Sequence, residues 1–166
     1  MERVLLAIDG ITPDIRVFRY AVELCRRIKA ELNVLQIIRP RDYSKYLDKL
    51  RRGAKQARMY FEGSMVAASF AEAGDHETAK QVMSEALKNI EQLLQESEKA
   101  GILYHLTMKL GSPEKEIIDY VNEHRDVVLA IYDPPRPDAG VVKKKAVPAE
   151  IKENLPIPVV MVQDQK

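Results

Sequence analysis

The sequence holds a single cysteine, Cys25. No intrachain disulfide can form, which excludes a disulfide-stapled scaffold and makes a reducing cytoplasm the expected compartment. Excess charge is also missing: 26 Lys and Arg stand against 25 Asp and Glu, a formal net charge of +1. A dedicated nucleic-acid binder is usually clearly basic, so no nucleic-acid partner is expected. No apolar run approaches the roughly 20 residues that span a bilayer. Met1-Glu2-Arg3 leads straight into a short strand and an acid rather than a secretory leader. No membrane partner is expected. Gly-x-Ser-x-Gly, Walker and Gly-x-Gly-x-x-Gly motifs are all absent. His76, His105 and His124 are far apart, with no His-x-x-x-His or Cys-x-x-Cys spacing. No metal site and no catalytic residue is therefore expected.

What is present is a run of alternating strands and helices. With 46% hydrophobic residues in 166, the chain can build one domain, residues 1–166, around a real core. Val4-Leu5-Leu6-Ala7-Ile8 is a continuous apolar run of the kind buried on both faces of a parallel sheet. It stops at Asp9-Gly10. In open α/β sheets ligands bind just past the carboxyl ends of strands, so a site would begin at Asp9.

A helix is expected from about Asp14 to Ala30, with Thr12 as cap and Pro13 at its first position. Its apolar face is read as Ile15, Phe18, Ala21, Val22, Cys25 and Ile28. On that face Cys25 reads as a buried, unreactive thiol. Leu32–Ile38 is the second strand, and the short strand–helix–strand unit points to a parallel pair. Residues 41–74 carry apolar residues at three- and four-residue steps with basic residues between them, read as a helical insertion. Tyr43, Tyr46, Arg51, Arg52, Lys55, Arg58 and Tyr60 could form an RNA-binding stripe. A packed amphipathic pair is the plainer reading, and a partner-binding helix is preferred to RNA.

The clearest helix runs from about Glu77 to Lys99 and stops at Gly101. Ile102–Met108 is the third strand. Ser112 caps the next helix, Pro113 opens it, and Ile117, Ile118 and Val121 line it. Val127–Ile131 is the fourth strand. A polar loop from Asp133 to about Lys145 and a short helix bearing Ile151 lead to the fifth, Val159–Val162. The fold class is a five-stranded doubly wound α/β domain.

This layout resembles the universal stress protein family. The resemblance is carried by Val4 to Gly10, by Ala30-Glu31-Leu32-Asn33-Val34-Leu35, and by Gly111-Ser112-Pro113-Glu114-Lys115-Glu116-Ile117-Ile118. Asp126 to Ile131 and Pro156-Ile157-Pro158-Val159-Val160-Met161-Val162 complete it. It covers roughly residues 2–38 and 75–163; the 41–74 insertion has no counterpart. The resemblance implies a parallel sheet of order 3-2-1-4-5, like that of the adenine-nucleotide α-hydrolases, and a homodimer. In that order strand five is an edge, and Val159, Val160, Met161 and Val162 are the expected interface. A protein partner could also dock on the 41–74 helices.

ATP-binding members of the family carry, just past strand four, a glycine, two residues, a second glycine, nine residues, then Gly-Ser or Gly-Thr. The glycines let the backbone close on the phosphates. Set without gaps from both flanking strands, these positions fall here on Tyr132, Pro135, Lys145 and Ala146. All four are lost while the spacing is kept. Pro135 has no N–H to donate, and Gly140 lies at no required position.

The expectation is therefore a non-catalytic, dimeric module that acts through protein contacts or a non-ATP ligand, with no cofactor. The alternative is an adenine-nucleotide switch, with weak ATPase activity as a further possibility. It would take ATP, ADP or AMP through Asp9 and the 132–146 loop. There Tyr132 would border the ligand, and Arg136, Lys143, Lys144 and Lys145 would form an anion cradle. A solvated charged loop is the plainer reading of those basic residues.

Overall fold

The structure, a computed structural model, describes residues 1–39, 76–135 and 146–162. The expected insertion at 41–74, and with it Arg136, Lys143, Lys144 and Lys145, falls outside the described residues. Five strands, β1 (Arg3–Asp9), β2 (Glu31–Ile38), β3 (Tyr104–Leu110), β4 (Val127–Asp133) and β5 (Val159–Val160), form one sheet of order β3-β2-β1-β4-β5. Every pairing is parallel. The helices are α1 (Ile15–Ile28), α2 (His76–Lys99), α3 (Pro113–Glu123) and α4 (Ala149–Asn154).

Strand alternation builds two cores from one sheet. Val4, Leu6, Ile8, Leu32, Val34 and Ile131 join Phe18 and Ala21 of α1 and Ile90 and Leu94 of α2 on one face. Leu5, Ala7, Leu35, Ile37, Ala130 and Tyr132 join Ile117 and Val121 of α3 and Ile151 of α4 on the other. Both faces of β1 and β2 are covered, which is why their sequences read as unbroken apolar runs. Arg3 ties the amino ends of three strands, with Nε 2.9 Å from Asp126 and 3.3 Å from Glu31. The carboxyl ends are left for the site.

Several local expectations are corrected. Asp14, not Thr12, caps α1: its carboxylate accepts from the Arg16 N–H at 2.9 Å. A carboxylate is as good a cap as a hydroxyl, and Pro13 lies just before the cap rather than at the first helical position. The helix ends earlier, with Lys29 in the left-handed conformation and its N–H donating to the Cys25 carbonyl. Ile15 and Ile28 are 48% and 42% exposed, and Val17 takes the core position instead. The α1 face is thus rotated toward Val17, Phe18, Ala21 and Cys25. On α3 Tyr120 is buried with Ile117 and Val121, while Ile118 is only half-buried. Ser112 is the N-cap residue of α3 with Pro113 next, as expected, but its hydroxyl makes no capping bond and donates instead to Glu114 Oε2 at 2.8 Å.

β3 starts two residues later than expected and runs to Leu110. β4 runs two residues further, to Asp133, because Ala7 and Ile8 of β1 extend the pairing to Tyr132 and Asp133. Tyr132 is therefore a buried strand residue, not the first of a loop. Val128 and Leu129 are not fully covered, so β4 is not sealed on both faces along its length. β5 pairs only through Val159 and Val160.

Candidate functional site

Asp9 is the last residue of β1, and the chain turns away at once. Gly10 has φ of 129°, a conformation open to glycine and strained for other residues. Its N–H donates to the Ile37 carbonyl at 2.9 Å, and its own carbonyl accepts from Gln36 Nε2 at 3.0 Å. One strand over, the Asp133 carboxylate accepts the Asp14 N–H at 2.9 Å, which pins the start of α1 to the end of β4. The carboxyl ends of β1, β2 and β4 thus meet around Asp9.

The Asp9 side chain is buried, with only 2% of the residue exposed. It is not unpaired. Arg39, just past β2, lies on it in a fork: Nε donates to Oδ1 at 3.0 Å and Nη2 to Oδ2 at 2.7 Å. The Tyr132 hydroxyl donates to Oδ2 at 2.7 Å. A carboxylate offers about four acceptor sites, and three are filled from within the chain. Outside this group lies Glu114, at the start of α3, with Oε1 3.9 Å from Arg39 Nη2.

The electrostatics follow from the burial. Burial first, then the charge of Asp9 and the hydrogen bond to it, push the Tyr132 phenol well above its ordinary range. The hydrogen bond to Asp9 raises Arg39 further above its already high value, against an opposing effect of burial. At Glu114 burial pushes upward, but its own backbone N–H, the Ser112 hydroxyl and Arg39 together hold the carboxyl below its ordinary value. All three groups keep their usual charge at neutral pH. The arrangement is a satisfied ion pair with a neutral phenol, not a poised acid, base or nucleophile.

Of the residues singled out from the sequence, Asp9 and Tyr132 are brought into direct contact. Pro135 is exposed past the end of β4, so the ring, not the proline, is what meets the acid. Val159 and Met161 pack beside the core shared with α3 and α4, and Val160 and Val162 beside the opposite one. Arg39 is a site residue that the sequence reading does not include. Its signal was a basic residue right after an apolar strand, two positions past Ile37, which pairs with Asp9 in the β1–β2 register. Cys25 is buried and free, and its thiol donates to the Glu31 carbonyl at 3.7 Å.

No helix among the described residues is long and apolar enough to cross a membrane. No curated protein matches the chain by sequence. Solved structures do match in fold. UspA from Lactobacillus plantarum is 15% identical with a TM-score of 0.59, over 98% of this chain and 99% of its own. The universal stress protein from Archaeoglobus fulgidus in complex with dAMP is 14% identical with a TM-score of 0.57, over 98% of each chain. A family protein from Arabidopsis thaliana with AMP bound is 16% identical with a TM-score of 0.50, over 98% of this chain and 91% of its own. The profile of the universal stress protein family matches residues 1–163. With that match spanning nearly the whole sequence, and a sheet order and two-sided helical packing that agree with it, the chain belongs to the universal stress protein family.

Proposed function

We propose that this protein is a non-catalytic, homodimeric universal stress module of the cytoplasm, acting through protein contacts or a non-ATP ligand. One observation carries the reading: the acid at the centre of the candidate site is already held by Arg39 and Tyr132. A nucleotide would have to displace an internal ion pair and then find its phosphates without the loop glycines. Arg136, Lys143, Lys144 and Lys145 would be left as the phosphate's partners, and exposed lysine contacts contribute only ~0–1 kcal/mol each.

The dimer would form along β5. That strand pairs with β4 on one side and with no described strand on the other. Val159, Val160, Met161 and Val162 present an uncharged edge, and antiparallel pairing about a twofold axis would satisfy both copies. The 41–74 insertion is the proposed surface for a different protein partner.

A second reading has its own support, because the relatives from Archaeoglobus fulgidus and Arabidopsis thaliana hold dAMP and AMP. In it Asp9 and the reshaped 132–146 loop bind adenine nucleotide as a switch. Denaturing the purified protein and chromatographing the released small molecules separates the two. The first reading expects no adenine nucleotide; a stoichiometric amount supports the second and removes the first.

A further inference from the structure

We propose that Arg39 is a tethered ligand of Asp9, and that the place it fills accepts a planar cation with two parallel N–H donors. The inference rests on the reading that the site does not hold ATP, and it names the chemistry the site is shaped for.

The Arg39 fork gives each Asp9 oxygen one donor, at 3.0 and 2.7 Å. That match of planar donor to planar acceptor is one an ammonium group cannot reproduce. The carboxylate does not depend on Arg39 alone for its position, because the Tyr132 hydroxyl holds Oδ2 independently at 2.7 Å. Burial differs sharply across the pair. The Asp9 side chain is fully enclosed, while that of Arg39 is 31% exposed. Arg39 is therefore the solvent-facing member of the pair, and shortening its side chain would bring the acid nearer to solvent. Glu114 Oε1, 3.9 Å from Arg39 Nη2, adds a second negative charge on the outer side. Without Arg39 the Asp9 and Glu114 carboxylates are left without their shared cation, which favours binding of another.

A tethered group acts at an effective concentration in the millimolar range or above, so outside cations do not displace it from the wild-type protein. The test is Arg39→Ala in the full chain, with thermal unfolding followed in ethylguanidinium or ethylammonium at equal concentration. Ethylguanidinium at about ten times its dissociation constant is expected to raise the midpoint of Arg39→Ala by about 4 °C. The wild type supplies the baseline, since a guanidinium salt lowers midpoints in general; relative to it, ethylammonium should raise the midpoint of Arg39→Ala far less than ethylguanidinium does. A folded Arg39→Ala that ignores ethylguanidinium, or responds equally to both cations, overturns the proposal. If Arg39→Ala does not fold unaided, folding restored by ethylguanidinium alone supports it, and failure to restore folding overturns it. The double variant Asp9→Asn with Arg39→Ala lacks the orphaned carboxylate and should fold without responding; a retained response overturns the assignment to Asp9. Nucleotide carried by the wild-type protein defeats the underlying reading, whereas an unresponsive Arg39→Ala defeats this inference alone.

Discussion

The Tyr132 hydroxyl and the Asp9 carboxylate meet at 2.7 Å inside the protein, 123 positions apart in sequence. The contact joins the ends of two neighbouring strands. It also puts an aromatic ring at the position to which the family resemblance assigns the first loop glycine.

Replacing Tyr132 with Phe removes this hydrogen bond and leaves the ring. A hydrogen bond to a charged group contributes about 1.5–3 kcal/mol, so Tyr132→Phe should lower stability by that order in urea unfolding. Nucleotide binding should not appear, because Arg39 still covers Asp9. An unchanged midpoint would mean that the hydroxyl finds no net advantage over water.

Alkaline pH should destabilise the fold, with Cys25 and Tyr132 among the groups responsible. Burial pushes the Cys25 thiol up from its ordinary 9.0 to about 11, and Tyr132 is held above its ordinary 10.0. The native state keeps these protons after the unfolded chain has released them, so stability falls as pH rises. The Cys25 contribution is whole below pH 9 and lost by about pH 11; that of Tyr132 begins to fall near pH 10. Each group adds a slope of about 1.4 kcal/mol per pH unit within its window. Tyr132→Phe and Cys25→Ala should each flatten the curve of unfolding free energy against pH in its own window. An alkaline limb unchanged in both variants would contradict the assignment.

The phosphate loop alone should not restore nucleotide binding. Tyr132→Gly, Pro135→Gly and Lys145→Gly with Ala146→Ser rebuild the family pattern but leave Arg39 beside Asp9. Calorimetry should register binding of Mg-ATP only when Arg39→Ala is added. Tight binding by the loop variant alone would show that Arg39 yields to nucleotide.

Pairing through β5 predicts that Val160→Lys or Met161→Pro halves the mass in solution. A charge or a missing donor on an edge strand opposes pairing with a second chain. A folded variant that keeps the wild-type dimer mass would move the interface elsewhere, and a wild type monomeric at high concentration would remove it.

The sheet was legible because β1 and β2 are covered on both faces, so Val4–Ile8 and Leu32–Ile38 stand out as apolar runs. Helix phase was less legible. Ile15 and Ile28 are as apolar as Val17, and only packing against the sheet decides which of them face it. The end of β4 is less legible than its start: it continues past Ile131 because Ala7 pairs with Tyr132 and Ile8 with Asp133, a property of the neighbouring strand. The site was half legible. Asp9 announced itself as an acid closing an apolar run, and Tyr132 by the glycine it replaces. Arg39 did not, because an ion pair between residues 30 apart needs the register of β1 and β2 before it can be seen.

The central claim is that the site is filled by the chain's own side chains. It is tested most directly by calorimetric titration of the wild-type protein with Mg-ATP. No saturable heat is expected at concentrations where a low-micromolar site would be full. A dissociation constant in the low micromolar range, with one nucleotide per chain, would contradict it.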